Sequence, residues 1–467
     1  MIENNASVGT ARSSRMLACF LGATIAALLT ATNAIADTGQ ERAGKHLAKM
    51  SYLDNGVIRL GVDLNWGGAI TYLSRSGTEQ NLVNSYDCGR QIQMSYYSGP
   101  VPFAIAGKQP KPQWRFIGWN PIQVGDAFGN ASKLLEQSND AKQVYVKCIP
   151  LHWPLENVPG ECAYECWFTL DGPAVHARCR LVNHRPDHTQ YPARNQEYPA
   201  LYTNGPWYRL MTYTGDQPFS DGKLSRIEKR IGEPGPWSGW TATESWAALV
   251  DDNSFGMGIW IPQCGNFIGG FAGKPGKGGP NDNPTGYIAP SPKEIIDWNI
   301  DHEYRYDLIV GDLQAIRKYV YEHACRPSPP SYTFEKDRQG WCYVNAADTG
   351  WPIRGELNVL LEQDDPQLHG PVGFWQAADV STLVIRAASH TRGSDARIFW
   401  SNLGDKRFSE INSLGFTLNS DGEYHAYRVK LTKSPAWKGP IVQLRFDPVG
   451  TGGKNEWIRI KSIAFEK

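Results

Sequence analysis

The feature that most constrains the fold of this 467-residue chain is a repeated alternation of apolar and polar side chains. Apolar residues take every second position in segments 58–64, 144–148, 164–170 and 175–181. Because successive side chains of a strand point to opposite faces of a sheet, this period predicts half-buried β-strands. Glycine, proline, asparagine and aspartate separate the segments, which is typical of an all-β protein.

One segment has helical spacing instead. Leu313, Ile316 and Val320 follow Asp312, a suitable N-cap, and predict a helix from Asp312 to His323. A Pro/Ser-rich stretch comes next and predicts a stiff linker at 326–330. Alternating strands resume beyond it. The chain therefore divides into a large β domain at 45–325, which we expect to be catalytic, and a smaller β-sandwich at 331–467.

Composition excludes several classes of protein. Lys+Arg and Asp+Glu are equal at 47 each, so the excess positive charge typical of nucleic-acid binding is missing. The hydrophobic share of 41% is too high for a disordered chain. A mean hydropathy of -0.44 argues against a membrane-embedded protein. We expect no nucleic-acid partner and no membrane insertion after signal cleavage.

Residues 1–36 have the layout of a signal peptide. Two arginines precede an uncharged apolar run at 16–29, and Ala-Ile-Ala follows at 34–36. The run is shorter than the ~20 residues of a spanning helix, which disfavours the alternative of a membrane anchor. We expect cleavage before Asp37 and a secreted or periplasmic protein.

Eight cysteines remain after the signal, an even number that permits disulfides in an exported chain. Their pairing is left open, as is the alternative of buried thiols. Cys162 and Cys166 would face the same way on one strand, too far apart to bond each other. No motif for a metal or cofactor site is present, so none is predicted; loop carboxylates such as Asp282 offer ligands for structural calcium.

Three segments near the start of the mature chain carry a family resemblance. Residues 55–60 (NGVIRL), 67–73 (GGAITYL) and 81–84 (NLVN) together resemble the start of galactose-mutarotase-like β-supersandwich domains. That superfamily occurs in aldose epimerases and as a module of many glycosidases and polysaccharide lyases. The resemblance implies a supersandwich for the large domain. It transfers no catalytic residues, because the histidine pair of the epimerases has no assignable counterpart here.

The C-terminal part has a resemblance of its own. Segments 424–429, 437–439 and 444–447, with a final strand at 458–465, are similar to the jelly-roll sandwiches of secreted carbohydrate-active proteins. The similarity implies a domain that binds carbohydrate or braces the first domain.

Carboxylates next to aromatic residues suggest glycan chemistry. Glu197 stands among amides and tyrosines, and strand alternation places Glu244 beside Trp246. Hydrolysis of a glycosidic bond needs one protonated and one ionised carboxyl group, and an apolar neighbour raises the pKa of the acid. We predict Glu197 and Glu244 as the catalytic pair, with Asp87 and Asp126 as substitutes. The alternative for each of these carboxylates is a structural role, in a hydrogen bond or a salt bridge.

Sugar sites combine aromatic platforms with polar hydrogen-bonding groups. On that basis the predicted residues for binding a polysaccharide or oligosaccharide are Arg90, Gln91, Trp119, Asp126, His152, His184, Tyr202 and Trp246. The leading function is a glycoside hydrolase. One alternative is a polysaccharide lyase acting on a uronic-acid polymer, with a base such as Tyr287. The other is a non-catalytic glycan-binding protein.

Overall fold

The structure is a computed structural model that describes residues 48–99, 105, 107–114, 120–232 and 235–467. The predicted signal peptide and Trp119 lie outside the described residues. Across the described part of the chain, strand residues greatly outnumber helical residues, and every sheet is antiparallel. The predicted all-β class is therefore confirmed.

Among its described residues, the first part of the chain contains 21 strands and one α-helix. They are β1 (Met50–Asp54), β2 (Ile58–Asp63), β3 (Ala69–Arg75), β4 (Ile92–Ser98), β5 (Asn120–Gln123), β6 (Lys133–Asn139), β7 (Gln143–Ile149), β8 (Leu151–His152), β9 (Cys162–Asp171), β10 (Ala174–Asn183), β11 (Arg194–Asn195), β12 (Glu197–Asn204), β13 (Arg209–Thr212), β14 (Ser225–Arg226), β15 (Trp237–Thr241), β16 (Trp246–Val250), β17 (Phe255–Trp260), β18 (Asn266–Ala272), β19 (Thr285–Pro290), β20 (Lys293–Glu294), β21 (Asp301–Asp312) and α1 (Leu313–His323).

The remaining strands follow a segment, 324–330, that has neither helix nor strand. They are β22 (Cys342–Val344), β23 (Ala347–Asp348), β24 (Leu357–Leu360), β25 (Gln367–His369), β26 (Trp375–Gln376), β27 (Thr382–His390), β28 (Asp395–Asn402), β29 (Ser413–Thr417), β30 (His425–Lys430), β31 (Pro440–Asp447) and β32 (Trp457–Glu466).

Two large sheets form the first part. Sheet 1 has ten strands, in the order β1-β2-β3-β4-β12-β19-β18-β15, with β5 and β8 attached at β4. Sheet 2 has nine, in the order β14-β13-β16-β17-β21-β10-β9-β7-β6. One hydrophobic cluster contains buried residues of both sheets, such as Leu60 and Ile288 from sheet 1 and Phe168 and Leu308 from sheet 2. The sheets therefore pack face to face, as the predicted supersandwich requires.

The helix lies on the other face of sheet 2. The backbone N–H of Ala315 donates to the carboxylate of Asp312 at 2.8 Å, so the predicted N-cap and helix are confirmed. Ile316 and Val320 pack with Trp246 and other outward-facing residues of sheet 2 in a second apolar cluster. The outer face of sheet 2 is thus covered along β16, β17 and β21.

The cysteines are free thiols. Of the eight that follow the predicted signal, seven are buried and Cys325 is exposed. Cys162 and Cys166 both lie on β9 and both enter the central cluster, so they face the same way as expected. Burial raises the pKa of the Cys148 thiol to about 12, which keeps it protonated.

Two smaller sheets make up the second part. Sheet 3 contains β22, β25, β31, β28 and β29, with β26 paired to β31, and sheet 4 runs β23-β24-β32-β27-β30. Their inward-facing residues share one cluster that includes Leu368 and Phe446 from sheet 3 and Ile385 and Ile458 from sheet 4. This is a β-sandwich, as predicted. The domain boundaries at 325 and 331 stay a prediction.

A buried ion-pair network joins the two parts. Arg338 is 4% exposed and reaches Asp297 at 2.6 Å, while its Nε and Nη2 donate to the two oxygens of Asp348 at 2.5 and 2.8 Å. Gln190 donates to both aspartates. Asp297 belongs to the first part and Asp348 to the second. Ile295 also enters the cluster of the second part, so the junction is both ionic and apolar.

Replacing Arg338 by alanine should strongly destabilise the protein. The change leaves two buried carboxylates without their cation, which typically costs about 3–5 kcal/mol. Chemical denaturation measures the loss. The exposed pair of Arg397 and Glu410 supplies the control, because Arg397→Ala should cost no more than about 1 kcal/mol. Equal, small losses in both variants would show that the junction does not depend on Arg338.

Candidate functional site

The outer face of sheet 1 looks away from sheet 2 and carries a small apolar cluster of its own. Ala200, Trp237, Tyr287 and Ala289 form it, whereas their strand neighbours, such as Ile288, belong to the central cluster. Because alternate residues of a strand face opposite ways, these side chains lie on the outer side. We call this surface the Glu197 face, after the carboxyl group at its centre.

Glu197 opens β12 opposite Ser95 of β4, where the register of the two strands shifts. Its side chain is only 6% exposed. The hydroxyl of Tyr287 donates to Oε1 at 2.5 Å. The hydroxyls of Tyr97 and Ser95 bond the same carboxyl group. Three hydroxyl donors from three directions therefore fix one buried carboxyl.

Burial dominates the electrostatics of this carboxyl group. It raises the pKa of Glu197 above its usual value, although the hydrogen bonds from Tyr287, Tyr97 and Ser95 act in the opposite direction. Burial also raises the pKa of Tyr287 and of Tyr97 well above the usual value, and the charge of Glu197 adds to the effect. Both tyrosines thus stay protonated and remain donors, while Glu197 is suited to hold a proton.

Two buried amides hold the hydroxyl groups in place. The side chain of Gln196 accepts from the backbone N–H of Tyr97 at 2.7 Å and donates to its carbonyl at 3.0 Å. Gln123 donates to the Ser95 hydroxyl at 2.9 Å. The donors around Glu197 are therefore fixed by a further layer of hydrogen bonds, which is the arrangement expected where geometry matters.

Aromatic rings surround the carboxyl group. The rings of Tyr202 and Trp237 each lie 4.8 Å from that of Tyr287, centroid to centroid. Tyr202 is only partly buried, so its ring borders solvent. Such a wall offers apolar surface to the C–H faces of a sugar ring. The structure thus brings together Glu197 and Tyr202 among the predicted site residues.

The loop of residues 84–91 borders Tyr202. The backbone N–H of Tyr202 donates to the carbonyl of Gln91 at 3.1 Å. Burial raises the pKa of Tyr202 well above its usual value, and the charges of both Glu197 and Asp87 add to the effect. Asp87, predicted as a substitute catalytic carboxylate, therefore lies close enough to Tyr202 to act on it, as Glu197 does.

Arg90 and Gln91 were predicted to bind substrate, and the structure contradicts both predictions. Arg90 is buried, donates to the carbonyl and side-chain oxygens of Asn283 at 2.6 and 2.9 Å, and pairs with Asp87 at 3.4 Å. Gln91 is fully buried and donates to the Asp87 carbonyl at 2.5 Å. Both side chains brace the loop from inside, which is the structural alternative for an Arg–Asp pair.

The predictions that Asp126 and His152 bind substrate fail for the same reason, because both side chains are buried. Asp126 is fully buried and accepts from the backbone N–H groups of Phe128, Asn130 and Asn157 at 2.7–2.9 Å, so it shapes a turn. His152 is buried, and the loss of solvent lowers its pKa to about 4. A neutral histidine inside the protein cannot contact a polysaccharide. His184 is exposed and lies on the loop after β10 of sheet 2.

Glu244 lies on the opposite side of the sandwich from Glu197. It is 1% exposed and accepts from Trp246 Nε1 at 2.9 Å, Tyr321 at 2.7 Å and Arg317 at 3.3 Å. The predicted closeness of Glu244 and Trp246 is therefore found. Trp246, however, is fully buried against α1 and cannot bind a sugar. Glu244 ties the helix to sheet 2, which is a structural role.

The predicted catalytic pair is consequently wrong. Glu197 faces outward from sheet 1, and Glu244 faces outward from sheet 2. Sheets packed face to face lie about 10 Å apart, and both of these side chains extend away from the space between the sheets. The two carboxyl groups share no hydrogen-bond partner. No polysaccharide can contact both at once.

Sequence reasoning did not assign Ser95, Tyr97, Gln196 or Trp237 to the site. Strand alternation does place Ser95 and Tyr97 on one face of β4, and this was the available signal. The sequence did not show which strand lies beside β4, because its neighbour in the sheet, β12, comes about a hundred residues later in the chain.

Comparison with solved structures returns several proteins at low identity and low TM-score. A galactose mutarotase-like protein from Lactobacillus casei shares 12% identity over 56% of this chain and 100% of its own, with a TM-score of 0.35. A galactose mutarotase related enzyme from Lactobacillus acidophilus shares 10% over 56% and 97%, with a TM-score of 0.34. A low affinity xylan binding module from Roseburia intestinalis shares 12% over 30% and 96%, with a TM-score of 0.22.

These similarities concern the fold alone. The two facing antiparallel sheets of the first part are themselves the architecture that the resemblance to galactose-mutarotase-like domains implied. No protein-family model and no curated protein sequence matches the chain.

Two further properties concern the described residues only. No helix among them is both long and apolar enough to cross a bilayer. No group of three or more His, Cys, Asp or Glu side chains in the described ranges is placed to hold a metal ion. Asp282, named above for calcium, accepts from the backbone N–H of Gly279 at 2.7 Å.

The raised pKa of Glu197 predicts how stability depends on pH. A carboxyl with a raised pKa in the folded state stabilises the protein below its unfolded value of 4.5, and this contribution is lost as pH rises through the folded value. Glu197→Gln should therefore gain thermal stability relative to the wild type as pH rises above 4.5, as followed by melting temperature.

Asp187 provides a control of opposite sign. Burial opposes its ionisation, but hydrogen bonds from Arg185 and Tyr191 outweigh burial and lower its pKa below 3.8. Asp187→Asn should therefore lose stability relative to the wild type as pH rises through that region. The raised pKa of Glu197 would be contradicted if the melting temperature of Glu197→Gln changed with pH in parallel with that of the wild type. A fall relative to the wild type, as expected for Asp187→Asn, would contradict it as well.

Proposed function

We propose that this protein binds a saccharide on the Glu197 face and cleaves a glycosidic bond with Glu197 as the acid–base group. One observation carries the proposal: a carboxyl group with a raised pKa, bonded by three hydroxyls, lies beside the partly exposed ring of Tyr202. Hydroxyl donors stabilise the charge of a carboxylate less than a cation would, so the carboxyl of Glu197 keeps its proton to a higher pH than an exposed glutamate does.

In a hydrolytic reaction Glu197 would donate its proton to the leaving oxygen. Tyr287 and Tyr97 then stabilise the carboxylate that remains, because their hydroxyls already point at it. The second carboxyl group, which acts as base or nucleophile, is assigned to Asp87 in place of Glu244. The charges of both carboxyl groups act on Tyr202, whose ring would support the sugar.

The tyrosines also favour a second candidate, the lyase reaction on a uronic-acid polymer. Here ionised Glu197 would take the proton next to the uronate carboxyl, and a tyrosine hydroxyl would protonate the leaving oxygen. Elimination leaves an unsaturated uronate that absorbs ultraviolet light, whereas hydrolysis leaves none. A non-catalytic glycan-binding role remains the outcome if neither product forms.

Export belongs to the same proposal, because polymeric glycans are met outside the cytoplasm. We propose cleavage of residues 1–36 and a secreted or periplasmic mature protein. Sequencing the N-terminus of protein recovered from the expressing cell tests this, with Asp37 as the expected first residue; retention of Met1 would contradict it.

Glu197→Gln should reduce glycan turnover by at least about 100-fold, the usual contribution of a positioned acid–base group. The assay counts reducing ends and unsaturated uronate released from a panel of neutral and acidic polysaccharides. Reducing ends without ultraviolet absorbance indicate hydrolysis, and both together indicate elimination.

The control is Glu165→Gln. Glu165 is a buried glutamate on the outer face of sheet 2 that also accepts from a tyrosine hydroxyl, that of Tyr145 at 2.8 Å. Its replacement should leave turnover near the wild-type rate. Turnover that survives in folded Glu197→Gln protein would eliminate Glu197 as the acid–base group.

A further inference from the structure

The outer face of sheet 4, in the second part of the chain, is rich in positive charge. Along β27, β30 and β32 the inward side chains, such as Ile385, Val429 and Ile458, are buried in the cluster between sheets 3 and 4. The residues that alternate with them point outward. We call this surface the basic face; it comprises Arg386, Arg428, Lys430, Trp457, Arg459 and Lys461.

Aromatic rings alternate with these cations. The guanidinium carbon of Arg459 lies 4.6 Å from the centre of the Trp457 ring, and the ammonium of Lys461 lies 4.1 Å from that of Tyr424. In the sheet register, Trp457 stands between Leu360 of β24 and His390 of β27. Leu360 is 37% exposed, so the aromatic part of this face is open to solvent.

Ion pairs neutralise few of these cations. Glu466 pairs with Arg428, while Glu356 accepts from the hydroxyl of Tyr424. Within the described part of the chain, no ion pair involves Lys430, Arg459 or Lys461.

Sheet 3 differs from sheet 4 in this respect. Its cations, and one on the loop after β28, are matched by carboxylates: Arg397 pairs with Glu410, Arg445 with Asp447, and Arg407 of the loop with Asp405. The chain as a whole is neutral. The cations of the basic face thus differ from the paired cations beside sheet 3, and a surface of unpaired cations is expected to attract an anion.

We propose that the basic face binds an acidic polysaccharide, a polymer of uronic-acid units. The carboxylates of successive units would meet the cations, while Trp457 and Tyr424 would contact the apolar faces of the sugar rings. The choice of a glycan over other polyanions rests on the proposed function of the Glu197 face. It gives the second part of the chain a role in holding substrate, in addition to bracing the first part.

The probe is polygalacturonate, with a neutral galactan of similar length as the reference, and binding is measured by isothermal titration calorimetry at low and at high salt. The full mature chain is used. We expect binding to polygalacturonate, weakened by salt, and none to the galactan. Arg459→Gln combined with Lys461→Gln should weaken the affinity at least tenfold.

The matched control is the double variant Arg397→Gln and Arg407→Gln, which removes the same charge from sheet 3 and should bind as the wild type does. Equal loss in both double variants, no binding by the wild type, or tighter binding to a single-stranded oligonucleotide would overturn the proposal. Turnover lost in Glu197→Gln bears on the Glu197 face alone. The difference in affinity between the two double variants bears on the basic face alone, because neither of them changes a residue of the Glu197 face.

Discussion

The packing of sheet 1 against sheet 2 is the constraint on which the rest of the molecule depends. Each sheet gives one face to the shared core, so every functional group of the first part must lie on an outer face or on a loop at the rim. The helix α1 covers the outer face of sheet 2 along three strands. The outer face of sheet 1 instead carries the buried carboxyl of Glu197, with aromatic rings around it.

Glu197 and Glu244 have different hydrogen-bond partners, and this difference suits one to a chemical role and the other to a structural role. Glu244 accepts from a backbone N–H, from Trp246 and from the cation of Arg317, so its charge has strong partners. Glu197 has only neutral hydroxyl donors, and burial raises its pKa. A carboxyl that holds a helix in place benefits from ionic partners. A carboxyl that must exchange a proton benefits from their absence.

Much of the architecture was predictable because it depends on local patterns. The segments with alternating apolar residues form β2, β7, β9 and β10, and Asp312 caps α1 as predicted. Both features were predictable because strand faces and helix caps depend on residues that are neighbours in sequence. The site was less predictable. Glu197 and Tyr287 are ninety residues apart and meet only through the pairing of β12 with β19. Arg90 and Gln91 looked like surface groups, yet their loop folds so that both side chains face inward.

The central claim is that saccharide binds on the Glu197 face. It is tested most directly by a crystal structure of the Glu197→Gln variant soaked with the oligosaccharide that the wild type turns over. The prediction is a sugar ring against Tyr202, with its glycosidic oxygen within hydrogen-bonding distance of residue 197. An oligosaccharide bound only on another surface, with the Glu197 face unchanged, would contradict the claim.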